Sequence, residues 1–252
     1  MKLNKKDVEK AIYLENNGRF FSKELKKELD VFYNSLENKN SYFAITLGIS
    51  LTWTKHAKYN QDFVEYAAGF IDGKISKNEQ IINDNAYRFG YEGLEIALRS
   101  YRVFLRKVKP NLIDFNNCTV DELTKLQHKL LDRVTFLKRK GEILGIGPWL
   151  FLGPFKIIVN HQERLWDKPN LNDIVLATGV EVERGMKRLK SEDYSFMKDF
   201  DLNWLEQGSR ELLVSYGTCS ILHERMKKIA EIAQTTVIHI NSGLHLYGKK
   251  DI

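Results

Sequence analysis

The sequence predicts an all-α protein, a two-lobed helical bundle with at most a short β segment near the C-terminus. Apolar residues recur at spacings of three and four along most of the 252 residues, which is the spacing that gives a helix one apolar face. Only 4 prolines interrupt the chain, and proline is the residue that most often ends a helix. The one stretch rich in β-branched residues, 235–240, has the length of a single short strand.

The chain is long enough for one large domain or for two lobes that share a core. We expect three segments. We expect residues 1–115 to form an N-terminal helical lobe. Residues 116–190 are expected to hold the segments of functional interest, and residues 191–252 to pack back on the N-terminal lobe.

Individual helices are predicted from apolar spacing and from residues that cap helix ends. In the first half they are 5–15 after Asn4, a helix after Ser22, 42–56, 63–71, and 78–109 with a break near Gly90 and Gly93. In the second half they are 119–141, 149–159, 180–189 capped by Thr178, 203–215 and 220–233, followed by a β segment 235–240 and a turn 241–243.

The charge balance favours an anionic partner, because 39 Lys and Arg stand against 33 Asp and Glu, a formal net charge of +6. We expect that partner to be double-stranded DNA and not a membrane. The most apolar stretch, Tyr42 to Trp53, is shorter than the roughly 20 residues that a bilayer requires. No apolar segment follows the basic N-terminus as it would in a signal peptide.

Cysteine usage indicates a reducing compartment, because Cys118 and Cys219 are the only cysteines and cannot form a disulfide framework. Two thiols also cannot hold an iron–sulfur cluster of the four-cysteine type. We therefore expect an intracellular protein, cytoplasmic and nucleoid-associated. We expect it to be a monomer without a metal or another cofactor.

The stretch Leu144-Gly145-Ile146-Gly147-Pro148-Trp149 joins two predicted helices by a short glycine hairpin. Glycines leave backbone N–H groups unshielded, and at the start of a helix such groups can bind a phosphate oxygen. Arg139 and Lys140, with Arg133 and Lys138, lie directly before the hairpin and could contact the same phosphates. The alternative is a plain connection, in which a glycine ends one helix and proline begins the next.

Residues Gly145 to Trp149 resemble the hairpin of the helix-hairpin-helix DNA glycosylase superfamily. The Pro148-Trp149 pair is similar to its alkyladenine branch, the bacterial 3-methyladenine glycosylase II type. Residues 173–180, which lead into 183–189, resemble the loop and helix that carry the catalytic aspartate in that family. The resemblance implies a helix-hairpin-helix motif that grips the DNA backbone and an activity that hydrolyses the N-glycosidic bond of a damaged, alkylated base.

The sequence departs from the family in three places. Gly179 stands where the catalytic aspartate is expected, so Asp173 and Glu181 are the candidate catalytic carboxylates, with Glu183 a third acid nearby. Trp149 occupies the position of the lysine that forms a Schiff base in the bifunctional branch, and this implies a monofunctional enzyme. Leu150-Phe151 replaces the Thr-Ala pair that usually follows the hairpin.

Aromatic side chains could stack on an extruded base, and Trp149 and Trp166 are the candidates, with Trp53 a further one. Two other functions remain open. One is a non-catalytic helix-hairpin-helix protein that binds nucleic acid and lacks the glycosylase aspartate. The other is a helical bundle whose hairpin is a plain connection and whose pocket binds a small molecule or a protein.

Overall fold

The computed structural model of the chain describes residues 4–35, 41–108, 114–115, 117–144, 148–200 and 216–249, without the side chains of residues 35, 148, 149 and 216–218. Its helices are α1 (Lys5–Ser35), α2 (Tyr42–Trp53), α3 (Gln61–Ile71), α4 (Glu79–Asn85), α5 (Gly90–Val108), α6 (Val120–Arg139), α7 (Pro148–His161), α8 (Val180–Ser191), α9 (Tyr216–Ala233) and α10 (Val237–Lys249). Short 3₁₀ helices lie at Glu163–Leu165, Pro169–Asp173 and Ser195–Met197. The described chain contains no strand, so the all-α prediction is confirmed.

The chain divides into two compact units, one formed by Met1–Leu29 with Val159–Ile252 and the other by Asp30–Ile158. We call them the terminal unit and the central unit. Their boundaries fall inside α1 and α7, where the helical periodicity shows no break. The three segments 1–115, 116–190 and 191–252 stay a prediction.

The terminal unit is built around α10, which packs against α8 and α1 with very close backbone approaches. A Cβ atom at Gly243 would lie 2.1 Å from the carbonyl oxygen of Leu14, and one at Gly248 would lie 1.8 Å from that of Glu181. A side chain cannot be accommodated at either distance. Glycine at these positions therefore lets three helices approach more closely than ordinary side chains would permit.

The central unit is built around α2, whose residues from Phe43 to Thr52 are all buried. Helix α2 packs against both α3 and α5, as the apolar residues on all its faces predict. The expected break in 78–109 is confirmed, because α4 ends at Asn85 and α5 begins at Gly90. Gly90 has a φ of +66°, a backbone conformation that favours glycine.

Two predicted helix caps are wrong. Ser22 lies inside the continuous helix α1, where its hydroxyl is buried and 3.0 Å from that of Ser242. A serine satisfied in this way need not end a helix. Helix α8 has Gly179 at its N-cap, and Thr178 is buried with its hydroxyl donating to Cys219 Sγ over 3.4 Å.

The β segment predicted for 235–240 and the turn predicted for 241–243 are also wrong, because α10 begins at Val237 and continues beyond residue 243. Asn172 accepts a hydrogen bond of 2.9 Å from the backbone N–H of Val237 and so satisfies a donor at the helix start. Residues 237–244 are all buried, and tertiary burial overrides the preference of β-branched residues for strands. Within the described ranges, no helix is long and apolar enough to cross a membrane.

Candidate nucleic-acid interface

Helix α6 leads to the glycine hairpin and begins with a capping box. Thr119 accepts a hydrogen bond from the backbone N–H of Glu122, and the Glu122 carboxylate accepts one from the backbone N–H of Thr119. The buried face of the helix consists of Val120, Leu123, Leu126, Gln127, Leu130, Val134 and Leu137. This face fixes the rotation of α6, so Arg139 and Lys140 at its end are exposed.

Residues Gly145, Ile146 and Gly147 lie outside the described residues, as do the side chains of Pro148 and Trp149. The expected phosphate contacts of the hairpin and the stacking role of Trp149 therefore stay predictions. The chain on either side is described: Leu144 is 60% exposed on one side, and α7 begins at Pro148 on the other.

Two adjacent residues of α5 hold the two sides of the hairpin. The buried hydroxyl of Ser100 donates to the carbonyl oxygen of Leu144 over 2.6 Å and accepts from its N–H over 3.0 Å. The hydroxyl of Tyr101 donates to the carbonyl oxygen of Leu150 over 2.5 Å. Since both anchors belong to one helix, the ends of the hairpin are fixed relative to each other.

The hydrogen bond from Tyr101 replaces a backbone hydrogen bond that α7 cannot form. In an α-helix the carbonyl of residue 150 would accept from the N–H of residue 154, but residue 154 is a proline inside the helix and has no N–H. The Tyr101 hydroxyl supplies the missing donor. Burial raises the pKa of this phenol well above its usual range, so it remains a hydrogen-bond donor at neutral pH.

Cations converge on one carboxylate directly before the hairpin. Lys107 of α5 forms an ion pair with Glu142, and this contact, together with the charges of Lys140 and Arg133, lowers the pKa of Glu142. Three cations around one carboxylate leave an excess of positive charge. Arg139, exposed at the last position of α6, adds a further positive charge to this part of the chain.

An exposed aromatic ring lies among these cations. Phe136 is 43% exposed, with the guanidinium of Arg133 5.1 Å and the ammonium of Lys140 4.6 Å from its ring centre. We call Lys107, Arg133, Phe136, Arg139 and Lys140 the hairpin patch. An accessible ring among cations is suited to contact with bases and phosphates together.

The candidate catalytic carboxylates lie in the terminal unit. Gly179 is the N-cap of α8 with an extended backbone, so the position of the family aspartate carries no carboxylate. Glu181 lies in the first turn, about a third exposed, with its Oε2 4.0 Å from Nδ1 of His245. Glu183 is buried and forms an ion pair of 2.8 Å with Lys187. Its carboxylate therefore has a structural partner within α8.

Asp173 is exposed at the end of a 3₁₀ helix. Its neighbour Asn172 accepts a hydrogen bond of 2.8 Å from Nε2 of His223 through its carbonyl oxygen, so Nε2 carries the proton. Burial lowers the pKa of His223, and the imidazole is neutral at neutral pH. Among the described residues no group of three or more His, Cys, Asp or Glu side chains could hold a metal ion.

Trp166 is part of the core of the terminal unit. Only 1% of it is exposed, its indole N–H donates to the carbonyl oxygen of Val159 over 2.8 Å, and the ring of His239 meets it at right angles with centres 5.4 Å apart. No face of the indole is open to a base in this arrangement.

The described residues thus group the sequence-predicted site in two parts. Arg139, Lys140 and Leu144 belong to the central unit, whereas Trp166, Asp173 and Glu181 belong to the terminal unit. The sequence analysis missed the anchors Ser100 and Tyr101. Pro154 signals the need for a donor such as Tyr101, because a proline within a buried helix leaves the carbonyl four residues earlier without its usual N–H, whereas no sequence signal points to Ser100.

The terminal unit also has a shallow groove along α1 and α10, with a volume of about 260 Å³. Its lining consists of Tyr13, Asn17, Gly243, Leu246, Tyr247 and Lys249. The Lys10 ammonium lies 3.9 Å from the centre of the Tyr247 ring and 3.4 Å from the Glu192 carboxylate. The lysine is therefore already paired beside the groove.

Comparisons with models of protein families, with curated proteins and with solved structures found no match to this chain.

Proposed function

We propose that this protein binds double-stranded DNA through the end of α6, the glycine hairpin and the start of α7. The convergence of Lys107, Arg133 and Lys140 on Glu142 supports this proposal most directly, because it concentrates positive charge at the entry to the hairpin. Phosphates that approach the hairpin would meet these cations and the backbone N–H groups at the start of α7. The anchors Ser100 and Tyr101 hold Leu144 and Leu150, the described residues on either side of the hairpin.

The test is equilibrium binding of a labelled undamaged duplex at two salt concentrations. Gly145→Asp is expected to abolish binding, since it places a carboxylate in the phosphate site. Lys140→Gln is expected to weaken binding and to reduce the slope of log K against log salt by about 0.9, the value for one phosphate contact. Lys168→Gln, at an exposed position of the terminal unit, is the control. Equal binding by all four proteins would overturn the proposal.

Hydrolytic release of a damaged base is a second candidate function, favoured by the partly exposed Glu181 in the first turn of α8 beside His245. A carboxylate there could accept a proton from a water molecule while the oxygen of that water forms a bond to C1′ of the sugar. The C1′–N bond then breaks, and the base leaves with the electron pair of that bond. The helix start also stabilises a carboxylate without any chemistry. An activity measurement on variants of these acids assigns this role.

Duplexes that carry single alkylated purines, 8-oxoguanine or uracil test for base release through the abasic sites that form. Loss of release in Glu181→Gln or Asp173→Asn, with retention in the exposed control Glu224→Gln, would identify the catalytic carboxylate. Salt-sensitive binding without release of any base would favour the non-catalytic DNA-binding protein. No binding would favour the plain helical connection.

A further inference from the structure

Two loops of the central unit are joined edge to edge on the surface. The loop after α2 and the loop after α4 form an isolated antiparallel bridge between Ala57 and Ala86. Backbone N–H groups of Lys58, Tyr87 and Arg88 donate to the carbonyl oxygens of Asn85, His56 and Lys55 over 2.9, 3.0 and 3.0 Å. We call residues 55–59 and 86–89 the paired loops. Their backbone is held by this pairing, so they present a defined surface.

The paired loops expose three aromatic side chains. Tyr59 is 69% exposed, Tyr87 58% and Phe89 49%. Large aromatic residues are usually buried because each removes a large apolar area from water. Three remain exposed on the two joined loops, and we call these three residues the aromatic patch.

Packing within the paired loops sets the orientation of the Phe89 ring. The imidazole of His56 stacks on Phe89 with ring centres 4.2 Å apart, and a Cβ at Gly93 would lie 2.6 Å from the Cβ of Phe89. Glycine at 93 therefore makes room for the phenylalanine. Burial lowers the pKa of His56 to about 4, so this imidazole carries no charge at neutral pH.

Positive charge at the paired loops comes from three exposed side chains, Lys55, Lys58 and Arg88. The Lys58 ammonium donates to the backbone carbonyl of Asp84 over 2.7 Å, while the Asp84 carboxylate accepts from Gln80 over 2.9 Å. The Arg88 guanidinium lies 5.7 Å from the centre of the Phe89 ring. Cations are thus interleaved with exposed rings along both loops.

We propose that the paired loops bind single-stranded nucleic acid, with unpaired bases stacked on Tyr59, Tyr87 and Phe89 and phosphates contacted by Lys55, Lys58 and Arg88. Single strands are bound by rings that accept any base and by cations that follow the backbone, and the paired loops supply both. A duplex hides the faces of its bases and fits this surface less well. The argument uses no residue of the hairpin patch and does not rest on the proposed duplex binding.

The test is binding of a labelled oligothymidine to the full chain by fluorescence anisotropy. The double variant Tyr59→Ala, Tyr87→Ala is expected to bind at least about thirtyfold more weakly, because two stacking contacts are removed. Lys55→Gln with Arg88→Gln is expected to reduce the salt slope by about 0.7 for each cation. The control is Phe20→Ala, an aromatic residue that is 66% exposed in the terminal unit.

Further measurements distinguish single-strand binding by the paired loops from duplex binding at the hairpin. Gly145→Asp is expected to retain oligothymidine binding, and retention would establish two separate surfaces even if duplex binding is absent. Failure of the native chain to bind oligothymidine would overturn the proposal and favour a protein partner for the aromatic patch. Unchanged affinity in the double variant, with an unchanged melting curve, would also overturn it.

Discussion

At the scale of single residues, the hydroxyl of Tyr101 has a structural role that its position in the sequence does not indicate. It donates to a carbonyl of α7 that Pro154 leaves without its usual helical partner. A buried carbonyl without a donor costs about 1–3 kcal/mol. The tyrosine therefore stabilises the start of α7, next to the hairpin.

Tyr101→Phe is expected to lower the free energy of unfolding by about 1–2 kcal/mol, since it removes a donor from a buried carbonyl. In the background Pro154→Ala the loss should be smaller, because residue 154 then has an N–H that can reach the Leu150 carbonyl. Denaturant titrations of the four proteins in this cycle measure the coupling. Equal losses in both backgrounds would contradict the pairing, and Tyr87→Phe at an exposed position is the control.

His239 is a second residue whose environment has a measurable consequence. Its side chain is fully buried, and among the described residues neither ring nitrogen has a hydrogen-bond partner. Burial, with smaller contributions from the charges of Arg19 and Lys23, lowers its pKa to about 4. The unfolded chain binds a proton near pH 6.5, so between these values the unfolded state holds more protons.

Stability is therefore expected to fall as the pH drops from about 6.5 to about 4, and the share of His239 amounts to about 3 kcal/mol at the low end. His239→Phe should remove this part of the pH dependence, while His128→Phe at an exposed position should leave it. Denaturant titrations at several pH values measure the effect. A variant as acid-sensitive as the native chain would show that His239 is not responsible.

At the scale of helices, the capping box is the feature that positions α6 and so the hairpin patch. Thr119→Ala removes the acceptor for the N–H of Glu122 and is expected to cost about 1 kcal/mol of stability. Thr124→Ala is the matched control, because the hydroxyl of Thr124 only bonds to the Val120 carbonyl within the same helix. Chemical denaturation measures both, and a larger loss in Thr124→Ala would contradict the assignment.

Sequence patterns predicted helices well where the apolar face is regular and a polar residue precedes it. Helix α6, predicted at 119–141, and the glycine break before α5 are two such cases, because both depend on residues close in sequence. The prediction failed for α10, where β-branched residues become helical. Its cap comes from Asn172 and its close packing from α1 and α8, and no local pattern contains those partners.

The same limit applies to the candidate site. The basic residues at the end of α6 could be found by counting along the chain. The partner Lys107, the anchors Ser100 and Tyr101, and the paired loops could not, because residues 29 to 49 positions apart meet there only through the fold.

At the scale of the whole molecule, the terminal unit joins the two ends of the chain. A Cβ atom at Gly18 would lie 1.7 Å from the carbonyl oxygen of His239, so α1 and α10 are in backbone contact there. Gly18→Ala is expected to cost about 3 kcal/mol or more, because the helices must separate. Glu28→Ala, on the exposed face of α1, is the control.

Hydrogen exchange measured by mass spectrometry locates the effect. In Gly18→Ala, exchange should accelerate in α8 and α10 of the terminal unit, while α2 and α3 of the central unit keep their protection. If Gly18→Ala does not fold, Ser22→Ala gives a milder loss of the bond to Ser242 between the same helices. Uniform acceleration across both units would show that they unfold as one.

The discontinuous terminal unit also sets an order of events during synthesis. The central unit is one continuous segment of the chain, so it can fold as soon as residue 158 has left the ribosome. The first 29 residues must wait for partners that begin at residue 159 and end with α10, a delay on the order of tens of seconds at cellular rates of translation. Throughout that interval, the first 29 residues are without the later segments that they pack against in the finished terminal unit.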